Sequence, residues 1–434
     1  MILRDPVHGL VAFERDDERV VMALLATREV QRLRRVRQLG LTSLVFPGAE
    51  HSRFAHAVGA ALVMVRLQRH LRDRQDALPT EQRLTDESAR DALAAALLHD
   101  LGHGPFSHLF EEVLPEPRKH ETWTRDILMG DSEVHHALER LSRGMAGRVA
   151  SLLDGTHPLG WLSRAVSGTI DVDRSDYLLR DSHMTGVRYG LYDLDWLLRA
   201  FTFAQIPTGD WVLAIEGRKG LPPIEGFFLA RKFMYEQVYH HKATRAAECL
   251  ILAMFKRLAE LIRAGNVPDG TPPAVRAAVL GETLSLSDYL ELDDPLLMSC
   301  FAYWERGEDA LLADFAARLR HRRLPKTIPL PERAEAKPIW DAAKAAAEGV
   351  ARDHGLRPDL SVWLDVSTDS PYKEPAAPGP DGMWVVMSHR PVLRLGDVSF
   401  VLRQLRNETI VRPRLIFAAD IREPIEHAVE ETLR

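Results

Sequence analysis

The stretch HDLGHGPFSHLFEE, residues 99–112, decides how this chain is read. It follows the run ALAAALL at 92–98, which is apolar nearly all round and so belongs to a buried helix. Thr85-Asp86-Glu87 is suited to cap and start that helix, predicted over 85–100. Gly102 and Gly104 stop it, and Pro105 is suited to open the next one. His99 and Asp100 thus fall at the end of a buried helix. An imidazole and a carboxylate buried together are costly unless something compensates them. A divalent transition metal takes both as ligands. His103 lies four residues after His99, on the same face if the turn continues, and His108 and Glu111 lie three apart.

Working outward, two further segments complete a coordination sphere. His56 closes HSRFAH (51–56), with Arg53 three residues earlier, and Asp173 sits within GTIDVDRSDYLLRD (168–181). Two histidines and two carboxylates form a mixed nitrogen and oxygen site. It suits Mn, Fe, Ni, Co or Zn without choosing among them. The count of histidine agrees: 18 occur in 434 residues, and seven of them lie between His51 and His120. An even spread would put about three there. His51, His70, His135, His136, His157, His240 and the four histidines after residue 320 are assigned no function.

Composition excludes several classes. Lys+Arg number 56 and Asp+Glu 62, a formal net charge of −6, which argues against a strongly basic nucleic-acid coat. Hydrophobic residues are 46% and charged residues 27%, ordinary for a globular protein. No apolar stretch approaches the roughly 18 residues that span a bilayer. The start, MILRDPVHGL, lacks a signal-peptide core. Two cysteines, Cys249 and Cys300, make no disulfide framework, and a cytoplasmic location is expected.

Apolar periodicity predicts helices over 18–39 with a break near Thr27, then 53–72, 119–129, 133–142, 145–153, 159–166 and 172–183. The segment 211–216 reads as a strand of a short hairpin. Residues 225–264 form the longest helical stretch, and GNVPDGTPP at 265–273 reads as a linker. Helices continue to about 320 and return at 335–353. Strands are expected at 360–366, 383–387 and 414–418, separated by the Pro/Gly-rich 375–382. The fold class is mainly α: a helical core over 1–264 with a short β-hairpin, then a smaller α+β part over 265–434.

Six motifs occur in order: RDPVHG (4–9), QRLRRVRQLG (31–40), VFPGAEHSRFAHAVG (45–59), LLHDLGHGPFSH (97–108), IDVDRSDYLLRD (170–181) and YHHK (239–242). Together they resemble the HD-domain superfamily of metal-dependent phosphohydrolases. Within it they resemble the deoxynucleoside-triphosphate triphosphohydrolase branch, without that branch's sterile-alpha-motif domain. The resemblance implies that His56, His99, Asp100 and Asp173 bind a divalent transition metal, with additional Mg among the ions it admits. It implies that His103, His108, Glu111 and His120 form the acid/base side. Arg53, Arg174, Arg231 and Lys242 would hold a triphosphate, and Gln38, Tyr177, Asp181 and Tyr239 would frame a sugar. Spacing supports two stripes, Asp173/Tyr177/Asp181 and Arg231/Tyr235/Tyr239/Lys242, each on one helical face.

In the family the segment holding Gln31 and Arg34 borders an activator nucleotide at a subunit interface. The family's guanine-reading Asp is replaced here by Ala26. The resemblance implies a homodimer or homotetramer that releases deoxynucleoside and inorganic triphosphate from a dNTP. One alternative keeps the metal and acts on nucleoside monophosphates, cyclic nucleotides or single-stranded nucleic acid. Another is a nucleotide- or nucleic-acid-binding regulatory protein, prompted by Arg32, Arg34, Arg35 and Arg37. The net charge disfavours that last reading.

Overall fold

The computed structural model describes residues 2–115 and 118–433, with backbone alone at 108, 112, 113 and 334. The chain is mainly helical, and its largest core gathers around the helices Arg53–Arg72 and Asp86–Leu98. Ala92 to Leu98 are all buried, as an all-round apolar run requires. Thr85 caps their helix: its hydroxyl accepts from the Ser88 N–H, and the Ser88 hydroxyl accepts from the Thr85 N–H. The helices His120–Met129, Glu133–Leu141, Met145–Leu153, Gly160–Val166 and Val172–Thr185 lie where periodicity places them.

Three local expectations are corrected. The first helical stretch ends at Arg35, not Leu39. Beyond it the chain extends to pair with 51–53, through Gln38 N–H to the His51 carbonyl and Arg53 N–H to the Val36 carbonyl. Pro105 does not open a helix. The next helix starts at His108, after Phe106 and Ser107 adopt left-handed φ values of 54° and 60°. Such backbone persists only where surroundings hold it. Here Asp294 accepts from the Phe106 N–H at 2.8 Å, and the Ser107 hydroxyl donates to the Arg37 carbonyl at 2.9 Å. The 225–264 stretch is not one helix. Leu221–Met234 runs into a π-turn over Tyr235–Tyr239, and a new helix, Lys242–Arg263, starts behind His241. The π-turn breaks the i, i+4 stripe drawn from Arg231 to Lys242.

Among the described residues, three small sheets complete the fold. Ile2–Asp5 and Gly9–Ala12 form an N-terminal hairpin. Phe201–Gln205 and Trp211–Glu216 pair antiparallel, and Trp384–Val386 joins in parallel, tying the C-terminal part to the helical body. The third sheet has the order Lys326–Pro329, Ile410–Phe417, Val362–Asp369. Period-2 alternation decides its packing. Leu415 and Phe417 face the helices Lys337–Asp353 and Arg422–Leu433, while Ile416 faces Ala246 and Cys249. The 265–273 loop joins Leu250–Ile262 to Val275–Leu319 within one apolar cluster, so a cut at 264/265 runs through a shared core. No helix among the described residues is long and apolar enough to cross a membrane.

Candidate metal centre and phosphate pocket

His56 stands on the Arg53–Arg72 helix, His99 and Asp100 just past the Asp86–Leu98 helix, and Asp173 on the first turn of Val172–Thr185. Their donor atoms converge. His56 Nε2 lies 3.2 Å from His99 Nε2, 3.1 Å from Asp173 Oδ1 and 3.8 Å from Asp100 Oδ2. His99 Nε2 lies 3.3 Å from Asp173 Oδ1 and 3.4 Å from Asp100 Oδ1. Ligands bonded at about 2.1 Å around one ion sit about 3.0–3.4 Å apart.

The tautomers settle the chemical fit. His99 Nδ1 donates to the Ala96 carbonyl at 3.0 Å, and His56 Nδ1 donates to Asp176 at 2.8 Å. The Nδ1 of each ring is thus engaged outside the cage, which leaves both Nε2 atoms facing it. Two imidazole nitrogens and two carboxylates face one point, and a divalent cation there would take the place of the proton that His56 shares with Asp173. Burial pushes the His56 imidazole down, but hydrogen bonds to Asp173 and Asp176 overcome it and raise it to about 10. Filling the cage with a divalent ion displaces that proton. Burial likewise works against the Asp173 and Asp100 carboxylates. His99 and His56 hold Asp173 below the usual range; Arg53 and His99 do so for Asp100.

Asp176 was not singled out from the sequence, although it lies three residues after Asp173. It is fully buried and receives two hydrogen bonds from Arg180 besides that from His56. Gly59 makes this approach possible. A Cβ there would collide with the Asp176 carboxylate and the Arg180 guanidinium. Gly59→Ala is expected to cost about 1–3 kcal/mol or more, the usual range of core overpacking. A thermal melt checks this, and an unchanged midpoint would contradict the packing described.

The acid/base side forms around Gly102. A Cβ at Gly102 would strike the backbone of the His120–Met129 helix, so glycine lets that helix close on the turn. Thr124 accepts from the Gly102 N–H at 2.9 Å, and Tyr289 donates to its carbonyl at 2.6 Å. This brings His120 over His103, stacked with centroids 3.7 Å apart, and places His120 Nδ1 2.8 Å from Glu111 Oε1. His103 Nε2 lies 3.2 Å from Asp100 Oδ1. The helix ends before His99, so His99 and His103 meet around a turn rather than along a helical face. Burial and the Arg53 charge hold His103 well below the ordinary imidazole range. Arg53 pairs with Asp100 and donates to the Ser107 hydroxyl at 3.0 Å. The side chain of His108 lies outside the described residues.

A cleft of about 610 Å³ opens beside the cage and is lined by Gln38, Arg53, Arg174, Tyr177, Asp181, Tyr235 and Tyr239. Tyr239 Oη donates to Asp181 Oδ2 at 2.9 Å, and its ring meets Tyr177 edge to face at 6.2 Å. Arg174 pairs with Asp171 and donates to the Gly168 carbonyl. His51, given no function from the sequence, bonds Asp181 Oδ1 at 2.8 Å and so helps fix this wall; His240, also left aside, lines the cleft. No periodicity links residue 51 to residue 181.

Arg231 and Lys242 are not among the residues lining this cleft. Arg231 lines a neighbouring cavity, where it pairs with Asp369 and donates to the Ser370 and Pro371 carbonyls. Tyr235 and Arg174 line both. Gln31 and Arg34 lie outside the cleft: Arg34 donates to Gln31 and stacks on the Phe54 ring at 3.5 Å. Within the same arginine run, Arg32 is fully buried and donates to the His103 and Leu292 carbonyls, so it anchors the turn that carries His103.

A helical body that presents a His, His-Asp and Asp cage beside buried arginines defines a metal-binding phosphohydrolase core. The family model of the HD domain matches residues 53–179, which begin at Arg53 and run past Asp173. The chain is 36% identical over 371 residues to the uncharacterized protein YwfO of Bacillus subtilis, covering 86% of this chain and 80% of that protein. The chain belongs to the HD-domain family of phosphohydrolases. It is also 28% identical over 293 residues to the deoxynucleoside triphosphate triphosphohydrolase SAMHD1 of Danio rerio, covering 58% of this chain. It spans 44% of the length of that relative. The fold resembles the crystal structure of a phosphohydrolase from Bacteroides thetaiotaomicron, with a TM-score of 0.79 and 25% identity, over 96% of this chain and 99% of that one.

Proposed function

We propose that the protein hydrolyses deoxynucleoside triphosphates to deoxynucleoside and inorganic triphosphate. One observation carries the reading: the group His56, His99 and Asp173, with Asp100 beside it, borders a cleft lined by Arg53, Arg174, Tyr177, Asp181 and Tyr239. The likeness to a relative named as a deoxynucleoside triphosphate triphosphohydrolase supports it. His56, His99, Asp100 and Asp173 would hold a divalent transition metal, which when bound polarises a phosphoryl oxygen and lowers the pKa of bound water.

In the reaction water adds to the α-phosphorus and the bond to the 5′ oxygen breaks. The triphosphate keeps the water oxygen, and the 5′ oxygen takes a proton. Arg53 and Arg174 neutralise charge on the departing triphosphate. His120, held by Glu111, delivers the proton. Tyr239, fixed by Asp181, packs beneath the sugar and leaves little room for a 2′ hydroxyl.

The test incubates purified protein and Mn²⁺ with each dNTP, the ribonucleotides, nucleoside monophosphates, cyclic dinucleotides and single-stranded oligonucleotides. The expected products are deoxynucleoside and triphosphate in equal amounts from dNTPs. Hydrolysis of monophosphates or oligonucleotides alone would replace this reading with another chemistry of the same metal centre.

A further inference from the structure

We propose that the N-terminal turn Asp5–His8 is a positioning element of the metal centre, in which His8 acts through Asp176 on His56. The inference rests on reading His56 as a metal ligand and goes beyond it, since nothing in that reading involves the N-terminal hairpin.

His8 Nε2 lies 2.6 Å from Asp176 Oδ1. Arg180 donates to both oxygens of the same carboxylate, from Nη2 to Oδ1 at 2.9 Å and from Nε to Oδ2 at 2.8 Å. Oδ2 also accepts from His56 Nδ1 at 2.8 Å. Each oxygen of Asp176 thus has two partners, which is the full capacity of a carboxylate. Arg180 is steadied in turn by Asp5 Oδ2 at 2.7 Å. Asp5 Oδ1 accepts from the Val7 and His8 N–H groups, both at 2.9 Å, and so shapes the turn that presents His8. The side chains of Asp176 and Arg180 are fully buried, and that of His8 is 4% exposed.

The charges have a direction. Asp176 presents its carboxylate to the His56 imidazole, while Asp5 meets the Arg180 guanidinium behind it. A carboxylate behind a ligating imidazole fixes its tautomer and strengthens its donor nitrogen. Without His8, Oδ1 keeps a single partner, and the aim of Oδ2 at His56 rests on the Arg180 fork alone. A two-stranded hairpin is marginal by itself in water. Its docking and the filling of the cage should therefore reinforce each other, since coupling between two sites is reciprocal.

The experiment titrates full-length metal-free protein with Mn²⁺, followed by the electron paramagnetic resonance of free ion. Hydrogen exchange of the hairpin amides is measured with and without Mn²⁺, and melts of the metal-free forms are run alongside. His8→Ala is expected to weaken Mn²⁺ binding several-fold, less than the about 10–100-fold usual for the direct outer partner of a metal ligand, because it acts through Asp176. His8→Gln keeps an N–H donor and is expected to restore most of that loss. Mn²⁺ is expected to slow hairpin exchange in the native protein and not in His8→Ala. Native affinity in His8→Ala overturns the proposal. So does equal weakening in both variants with an equally lowered melt, which marks a purely structural role. Unchanged Mn²⁺ binding in His56→Ala would instead remove the ligand reading beneath it. None of these readouts depends on which substrate is cleaved.

Discussion

Asp100→Ala is expected to lose metal and hydrolysis together. Asp100 does three things at once: Oδ1 faces His99 and His103, at 3.4 and 3.2 Å, Oδ2 pairs with Arg53, and both oxygens border the cage. Removing it takes away one candidate ligand and leaves the Arg53 guanidinium, only 4% exposed, without its carboxylate partner. A cation then stands uncompensated next to the point where a metal ion must sit. Loss of an outer partner alone costs about 10–100-fold in metal affinity, so loss of a ligand should exceed that. Stripping one partner from a buried ion pair also costs about 3–5 kcal/mol. Asp100→Asn keeps the shape and removes the charge. It should melt nearer the native protein while remaining empty of metal. Elemental analysis, a thermal melt and triphosphate release on both variants decide the matter, and activity in either one would refute the assignment.

His120→Ala is expected to lower kcat by about 10²–10⁴, the range for removal of a general acid, with metal content unchanged. The proposed choice of His120 rather than His103 as proton donor fits the stacked pair. His103 is fully buried beside Arg53 and stays neutral through the physiological range. Two stacked imidazoles 3.7 Å apart do not both hold a charge in a buried site. The Glu111 carboxylate, 2.8 Å from His120 Nδ1, holds that ring in place. Glu111→Gln should therefore lower kcat less than His120→Ala, because the glutamine still holds the ring in place. A full-rate His120→Ala enzyme would move the acid elsewhere.

The candidate metal ligands were legible because each rests on local pattern. His99 and Asp100 end an apolar run, His56 follows Arg53 by one turn, and Asp173 opens a helix. The six ordered motifs joined these segments across the chain. The sugar side was half legible: Tyr177 and Asp181 follow Asp173 at helical spacing on a helix that does form. Arg231 and Lys242 were placed on a common stripe that the π-turn at Tyr235–Tyr239 divides. A π-turn shifts register by one residue, and no residue type in YEQVY announces it. His51 and Asp176 were passed over because their partners lie 130 and 120 residues away. The RDPVHG segment was noticed as a motif, but its contact with Asp176 spans 168 residues.

By itself the sequence determined the helical class, the buried helix that ends at the His-Asp pair, and the set of side chains able to bind a divalent ion. These follow from periodicity, capping and residue chemistry, which act within a few turns of chain. Tertiary structure alone decided which nitrogen of each imidazole faces the cage, that Asp176 stands behind His56, and that the N-terminal turn holds Asp176. Those features depend on how closely the Arg53–Arg72 and Val172–Thr185 helices approach at Gly59. Interhelical distance is set by packing between segments far apart in the chain, and local pattern carries no record of it.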